Sequence, residues 1–335
     1  MDKLLARDGA LRMIVEAASA APSIHNTQPW LFHVVGDDLL ELHADPDRAL
    51  WVADPEARGM YLSCGAALFN IRAAIRMNGF NPLVWPLPDP TFTPLVLAAV
   101  RAEPARPPSL AEREIYDAIW RRHTDRGPFS GDPLPEPVRI ALEQAADFEF
   151  ASLRMLSPAD ADEVVRLAAK AGAELAGDVE HQAELREWIT TGRQEDGIPA
   201  AALPPPASRQ PAPVRQDDLT AVAPLIPRQA RDFEQMPNMA VLTTARDEPA
   251  DWLRAGQAMQ RILLTATVHG VSASFLYQPI ELRDMRGPDA LEWPWRENPQ
   301  IIFRFGYGQR AVASPRRPLE EVLTRTGQAG TTTSP

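Results

Sequence analysis

Three clusters in this 335-residue sequence hold residue types that can do chemistry. The first is AAPSIHNTQPW at residues 20–30, where Pro22 and Pro29 stiffen a stretch that presents Ser23, His25, Asn26, Thr27 and Gln28. Amide and hydroxyl side chains set donors beside acceptors, which suits a planar ligand edged with heteroatoms. The same residues also form ordinary turns by bonding their own backbone. The second cluster is RRHTDRGPF at 121–129, with Arg121, Arg122 and Arg126 at the end of an expected helix. Guanidinium forks pair two oxygens of a phosphate; a solvated run paired locally by Asp125 fits the composition too. The third is Arg316–Arg317 in SPRRPLEEV, with the same two readings.

Other chemistries find little support. The sequence has no G-x-S-x-G, no phosphate-binding P-loop and no G-x-G-x-x-G fingerprint. Its six histidines, at 25, 33, 43, 123, 181 and 269, show no close ligand spacing, so no metal site is expected. The single cysteine, Cys64, excludes an internal disulfide and a multi-cysteine metal site, and it lies in an apolar helical stripe where a packed thiol is the simpler reading. One cysteine fits a reducing, cytoplasmic setting. With 34 Lys+Arg against 45 Asp+Glu, the net charge of −11 argues against nucleic acid and membrane surfaces as partners. Residues 1–21 mix charges into their apolar positions and read as neither a leader peptide nor a spanning helix.

Alternating helical and strand signals must position these clusters in a layered α/β arrangement. Leu11, Ile14, Val15 and Ala18 mark a first helix, and 30–35 with 39–44 reads as a hairpin around Gly36. A helical stripe from Met60 to Ile75 ends at Gly79 and is followed by a strand at 95–100. Ser109 and Glu112 fit a capping box opening a helix that reaches Arg122. Further helices are expected at 135–146, 158–176, 179–190 and 249–269, with strands at 148–156, from 239, from 271 and from 300.

Two features exceed this alternation. The helix CGAALFNIRAAIRMNGF from Cys64 aligns without gaps on AGQAMQRILLTATVHGV from Ala255, an offset of 191 residues that matches Gly65 and Gly79 to Gly256 and Gly270. That suggests an internal repeat. Nine of the 34 prolines fall within 198–237, a stretch without glycine. Such a segment is a flexible linker or a packed lid; Leu219, Val222, Leu225 and Ile226 favour packing.

The clusters carry a family resemblance. PSIHNTQPW resembles the P-S-x-x-N-x-Q-P-W loop of nitroreductase-fold flavoproteins, and RRHTDRGPF resembles their R-R-S-x-R phosphate-binding element. YQPIEL at 277–282 resembles their P-I-E-G flavin-edge segment, and FGYGQRAVASPRRPLEEV is similar to their closing strand and basic tail. IHNTQPW together with LSCGAAL and RRHTDR is similar to the Acg subfamily, in which two nitroreductase-like halves are fused. The motifs occur in order and span essentially the whole chain.

The resemblance implies a nitroreductase-like α+β fold, with halves at 1–105 and 106–335 forming an intramolecular pseudo-dimer and the insertion at about 191–237 forming a lid. It implies one FMN per chain. The first half has the loop but lacks paired arginines before it, while the second has the arginines but AADFEFASL where a loop would be, so the two complete one site. Arg121, Arg122 and Arg317 would hold the phosphate, with Arg316 or Arg126 assisting. Ser23, Asn26 and Gln28 would bond the flavin, and Pro279, Ile280 and Glu281 would bring backbone to its N5 edge. This sequence departs from the family at His123 and Asp125 in the arginine element and at Leu282 in place of glycine.

The activity so implied is an oxidoreductase taking hydride from NADH or NADPH and passing electrons to a nitroaromatic, quinone or similar acceptor, with the cofactor supplying the chemistry. No catalytic side chain is required; His25 is a candidate proton donor or orienting group. The alternatives are a flavin-sequestering protein whose lid blocks turnover, and a cofactor-free interaction protein. A pseudo-dimer satisfied within one chain is compatible with a monomer.

Overall fold

A computed structural model of the chain describes residues 3–190, 195–208, 229–281, 297–308 and 311–326. Helix α1 (Asp8–Ser19) buries Leu11, Ile14, Val15 and Ala18, the face that their spacing requires. Strands β1 (Trp30–Val35) and β2 (Leu39–Ala44) form the expected hairpin, turning at Gly36 with φ +60° and burying alternate residues. Helix α2 (Arg58–Met77) starts where the Asp54 carboxylate accepts the amides of Gly59 and Met60, each at 2.9 Å. It stops before Gly79, whose φ of +81° is a left-handed helix exit.

Strands β3 (Phe80–Pro86) and β4 (Val96–Pro104) follow, and β3 is an element the sequence reading lacks. Pro82 and Pro86 remove ladder donors, which is tolerated because β3 lies at a sheet edge. Helix α3 (Leu110–Ala118) has the predicted capping box but ends four residues short of Arg122. Next come α4 (Glu136–Asp147) and β5 (Ser152–Met155), the latter shorter than expected because Phe150 turns left-handed at φ +57°. Helices α5 (Pro158–Gly177) and α6 (Val179–Glu187) lead to the short pair β6 (Ile189–Thr190) and β7 (Ile198–Pro199). Then come β8 (Asn238–Thr244), α7 (Pro249–Val268), β9 (Ser272–Phe275), α8 (Gln278–Glu281), β10 (Asn298–Gly306), α9 (Leu319–Val322) and β11 (Leu323–Thr326).

The strands build two main sheets that follow the same path. The first is ordered β11-β1-β2-β4-β3 and the second β5-β8-β10-β9. In each, the first, second, fourth and third strands lie side by side and antiparallel, with a long helix between the second and third. Those helices, α2 and α7, are displaced by the 191 residues of the sequence offset at both ends, 58 to 249 and 77 to 268. They pack directly on each other and join the two sheets through one shared apolar core that includes Trp30, Phe32, Leu68, Ile262, Phe303 and Phe305. Strand β11 pairs in parallel with β1, so the C-terminal segment returns to the first sheet and carries Arg316 and Arg317 with it.

Of the proline-rich segment, 195–208 and 229–237 are described; Leu219, Val222, Leu225 and Ile226 lie outside the described residues, as does Leu282. Among the described residues, no helix is long and apolar enough to cross a membrane, and no group of three or more His, Cys, Asp or Glu could hold a metal ion.

Candidate functional site

The loop between α1 and β1 carries backbone strain. His25, Asn26 and Gln28 all have left-handed φ, of 45°, 58° and 51°, each costing about 1–2 kcal/mol for an ordinary L-residue and less for Asn. Surrounding bonds fix the conformation. The Gln28 amide donates to Ser23 Oγ at 2.9 Å, and the Ile24 amide donates to Ser63 Oγ on α2 at 3.1 Å. Asn26 Nδ2 donates to the carbonyls of Gly197 (2.9 Å) and Pro315 (3.2 Å), and Gln28 Nε2 to that of Glu195 (2.9 Å). The loop is therefore tied both to the insertion and to the C-terminal segment.

Arg122 and Arg316 converge beside it. The turn after α3 is held against β9 by the Asp125 amide donating to Ala273 O at 3.0 Å, and this places Arg122 inward, 5% exposed. Its Nε and Nη1 have no protein partner. Arg316 donates to Asn26 Oδ1 at 3.0 Å and to the carbonyls of Ala20 and Ala21 just beyond α1, the end of a helix dipole that favours a cation. Its Nε is likewise unpartnered. Burial and the neighbouring Arg316 charge lower the Arg122 pKa to about 9, and burial lowers that of Arg316 to about 10. Two buried cations with free N–H groups call for an anion, because each unmet donor otherwise carries its full desolvation cost.

These arginines line a cavity of about 290 Å³. Ser23, His25, Asn26 and the start of α2 line it together with Arg122, Arg126, Tyr277 and β10. Its apolar wall includes Leu62, Met259, Ile280, Ile301 and Ile302. A flat apolar body with an anionic tail fits such walls. Within it His25 is buried, meets Tyr277 edge-on at 5.6 Å and leaves Nε2 unpartnered. Burial, then the charges of His181 and Arg126, lower its pKa to about 3. The imidazole is neutral at ordinary pH, so it acts as a dipole and hydrogen-bonding group, and the proton-donor role expected of it has no imidazolium to draw on.

Of the residues singled out from the sequence, Ser23, His25, Asn26, Arg122, Arg126, Ile280 and Arg316 line this cavity. Five others do not. Arg121 is exposed and lines a neighbouring cavity that Arg122 and His123 also border, but not the candidate cavity itself. Arg317 pairs with the buried Asp45 carboxylate at 3.1 Å, and its amide donates to Gln28 Oε1 at 2.9 Å, so both Arg317 and Gln28 serve to fasten the C-terminal segment to the loop. Pro279 is buried in α8, beside Ile280 of the lining; Glu281 ends that helix. The sequence reading missed Arg58, buried with Nη1 donating to both the carbonyl and Oε1 of Gln300 at 2.9 Å, and Tyr277, quoted within its motif but given no role. No spacing points to Arg58, whose partner is 242 residues away.

No family model matches the chain. "Putative NAD(P)H nitroreductase acg" of Mycobacterium tuberculosis (strain H37Rv) is 29% identical over 317 residues, covering 93% of this chain and 95% of its own. A second "Putative NAD(P)H nitroreductase", from M. tuberculosis strain CDC 1551, is 30% identical over 321 residues, covering 93% of this chain and 90% of its own. Among solved structures, the FMN-dependent nitroreductase NfnB of Mycobacterium smegmatis in complex with NADPH is 18% identical, with 66% of this chain and 100% of that chain covered at a TM-score of 0.40. A nitroreductase with bound FMN from Desulfitobacterium hafniense is 17% identical, with 63% and 97% covered at a TM-score of 0.38. Those structural likenesses are too loose to carry an assignment. The full-length sequence relationship does carry one: this α+β chain belongs to the Acg family of nitroreductase-like proteins.

Proposed function

We propose that the chain is a flavoprotein holding one FMN in the cavity between two fused nitroreductase-like halves, 1–105 and 106–335, and acting as an NAD(P)H-dependent oxidoreductase. The observation that carries this reading is the buried pair Arg122 and Arg316, with three unpartnered N–H positions, lining a cavity that also has an apolar wall. A phosphate monoester would answer those donors with charge-assisted hydrogen bonds. The matched strand order and the 191-residue helix offset support the pseudo-dimer, and the absence of a second loop-and-arginine set in the sequence supports a single site.

In this reading Arg122 and Arg316 bind the phosphate, and Asn26 holds Arg316 in place through its Oδ1. Ser23 and Asn26 orient the polar edge of the flavin. Leu62, Met259, Ile301 and Ile302 exclude water from its plane, and neutral His25 offers a hydrogen-bonding edge without adding charge. A bound flavin supplies hydride transfer from NADH or NADPH to a nitroaromatic or quinone acceptor.

A second reading, flavin sequestration, draws on the insertion. Segment 195–202 is clamped over the loop: Glu195 O and Gly197 O accept from Gln28 and Asn26, Asp196 pairs with Arg48 at 2.8 Å, and Ala202 O accepts from Arg126 at 3.4 Å. A lid held this way restricts the close approach hydride transfer needs. Anaerobic mixing of the purified flavin-loaded protein with NADH or NADPH separates the two. Rapid bleaching of the flavin absorbance supports the reductase. A persistent oxidised spectrum that dithionite still bleaches supports sequestration. A protein that neither purifies with FMN nor binds it overturns both.

A further inference from the structure

Arg122 and Arg126 line the candidate cavity from the segment that follows α3, and that segment is anchored by a buried ion pair. Arg304, on the interior strand β10, donates to Glu234 Oε1 at 2.6 Å, and the two side chains are 3% and 1% exposed. Each partner also reaches past the other to the segment. Arg304 Nη2 donates to the Gly127 carbonyl at 2.7 Å, and Glu234 Oε2 accepts from the Phe129 amide at 2.9 Å. The Arg304 guanidinium lies 4.1 Å from the centroid of the Phe129 ring, a cation–π contact. Phe129 sits so close to β10 that a Cβ on Gly306 would stand 2.6 Å from its own Cβ.

A buried ion pair adds little net stability, because desolvating two charges offsets their attraction and apolar residues of similar size often hold a fold better. Apolar residues at 234 and 304 could not supply a donor to Gly127 O or an acceptor for the Phe129 amide. Together with the Asp125 amide on Ala273 O, these bonds pin the chain at 125, 127 and 129, on both sides of Arg126 and three residues beyond Arg122. Glu234 comes from the end of the proline-rich insertion. Its leg is joined to the outgoing one by the Ser208 amide donating to Arg231 O at 2.9 Å and the Arg231 amide to Pro206 O at 2.8 Å, and the outgoing leg meets the same segment where Ala202 O accepts from Arg126.

We infer that Glu234 is a positioning residue for the phosphate grip: with Arg304 it fixes residues 125–129, and through them the placement of Arg122 and Arg126. The insertion is thereby part of the support of the anion site. This rests on the FMN reading above.

The test titrates flavin-free protein with FMN and with riboflavin, which lacks the phosphate, following flavin fluorescence. Wild type is expected to prefer FMN by about tenfold or more, the worth of a charged hydrogen bond. Glu234→Gln keeps the shape but has one acceptor oxygen where the carboxylate has two, so it cannot serve both Arg304 and the Phe129 amide. It is expected to weaken FMN about tenfold while changing riboflavin less than about threefold, whereas general damage to the fold would weaken both alike. Glu234→Leu combined with Arg304→Met removes both charges and spares the fold an unpaired one, so it carries the test if the single variant fails to fold; it too should lose the preference for FMN. The inference is overturned if either folded variant keeps the FMN-to-riboflavin ratio within about twofold of wild type, and the FMN reading then stands. If wild type binds neither flavin, or both alike, the phosphate grip and this inference fall together.

Discussion

Gly65 and Gly256 touch at the crossing of α2 and α7. A Cβ on Gly65 would stand 2.9 Å from the Gly256 Cα and collide with the Leu253 carbonyl; one on Gly256 would stand 2.9 Å from the Gly65 Cα and collide with the Leu62 carbonyl. The two positions that the sequence aligns at an offset of 191 are thus the two that meet in space. Since α2 opens at the candidate site and Met259 of α7 lines it, this crossing fixes the spacing of the cavity walls.

Gly65→Ala and Gly256→Ala are expected to destabilise the fold. Alanine gains helix propensity over glycine, about 1 kcal/mol, but the obstacle at both sites is backbone that has no rotamer to yield. Overpacking, at about 1–3 kcal/mol or more, wins. Urea unfolding should show the loss. Gly9→Ala in α1, where nothing lies within 4 Å of the new methyl, should show a gain of about 0.5–1 kcal/mol.

Arg122→Ala should weaken FMN binding by about 1–3 kcal/mol, the range for losing a charged hydrogen-bond partner. Arg121→Ala, one residue earlier and exposed, should leave it unchanged. Equilibrium titration of both variants checks the pair, and equal losses would remove the distinction drawn here between the two neighbours.

His25 makes stability depend on pH. Its pKa in the fold is about 3 against an ordinary 6.5, so below pH 6.5 the unfolded chain takes up the proton first. The contribution is complete above 6.5 and is lost progressively as pH falls towards 3. His25→Asn lacks that proton, so wild type should lose unfolding free energy relative to the variant across this window in parallel urea titrations. A difference that stays constant with pH would contradict a buried neutral imidazole.

Breaking the Arg48–Asp196 pair should loosen the insertion. Both side chains are partly exposed, so the pair is worth at most about 1 kcal/mol. Asp196→Asn is therefore expected to raise access to bound flavin severalfold without unfolding the chain. Iodide quenching of flavin fluorescence measures it, and an unchanged quenching constant would show that this contact does not restrain the segment.

The sequence by itself determined the local architecture. The apolar phase of α1, the hairpin of β1 and β2, the Ser109–Glu112 cap and the glycine exits of α2 and α7 all follow from neighbours within a few residues. It also marked the two loops that form the site and the offset that pairs the long helices. Tertiary structure alone decided which members of each cluster face the cavity. Arg122 points in and Arg121 out; Asn26 lines the site while Gln28 fastens Arg317; Arg316 meets a loop 290 residues earlier. Adjacent side chains point in widely different directions, and which direction becomes the inside is set by contacts between segments far apart in the chain. That information resides in no local window, so it became legible only once the two sheets had closed around α2 and α7.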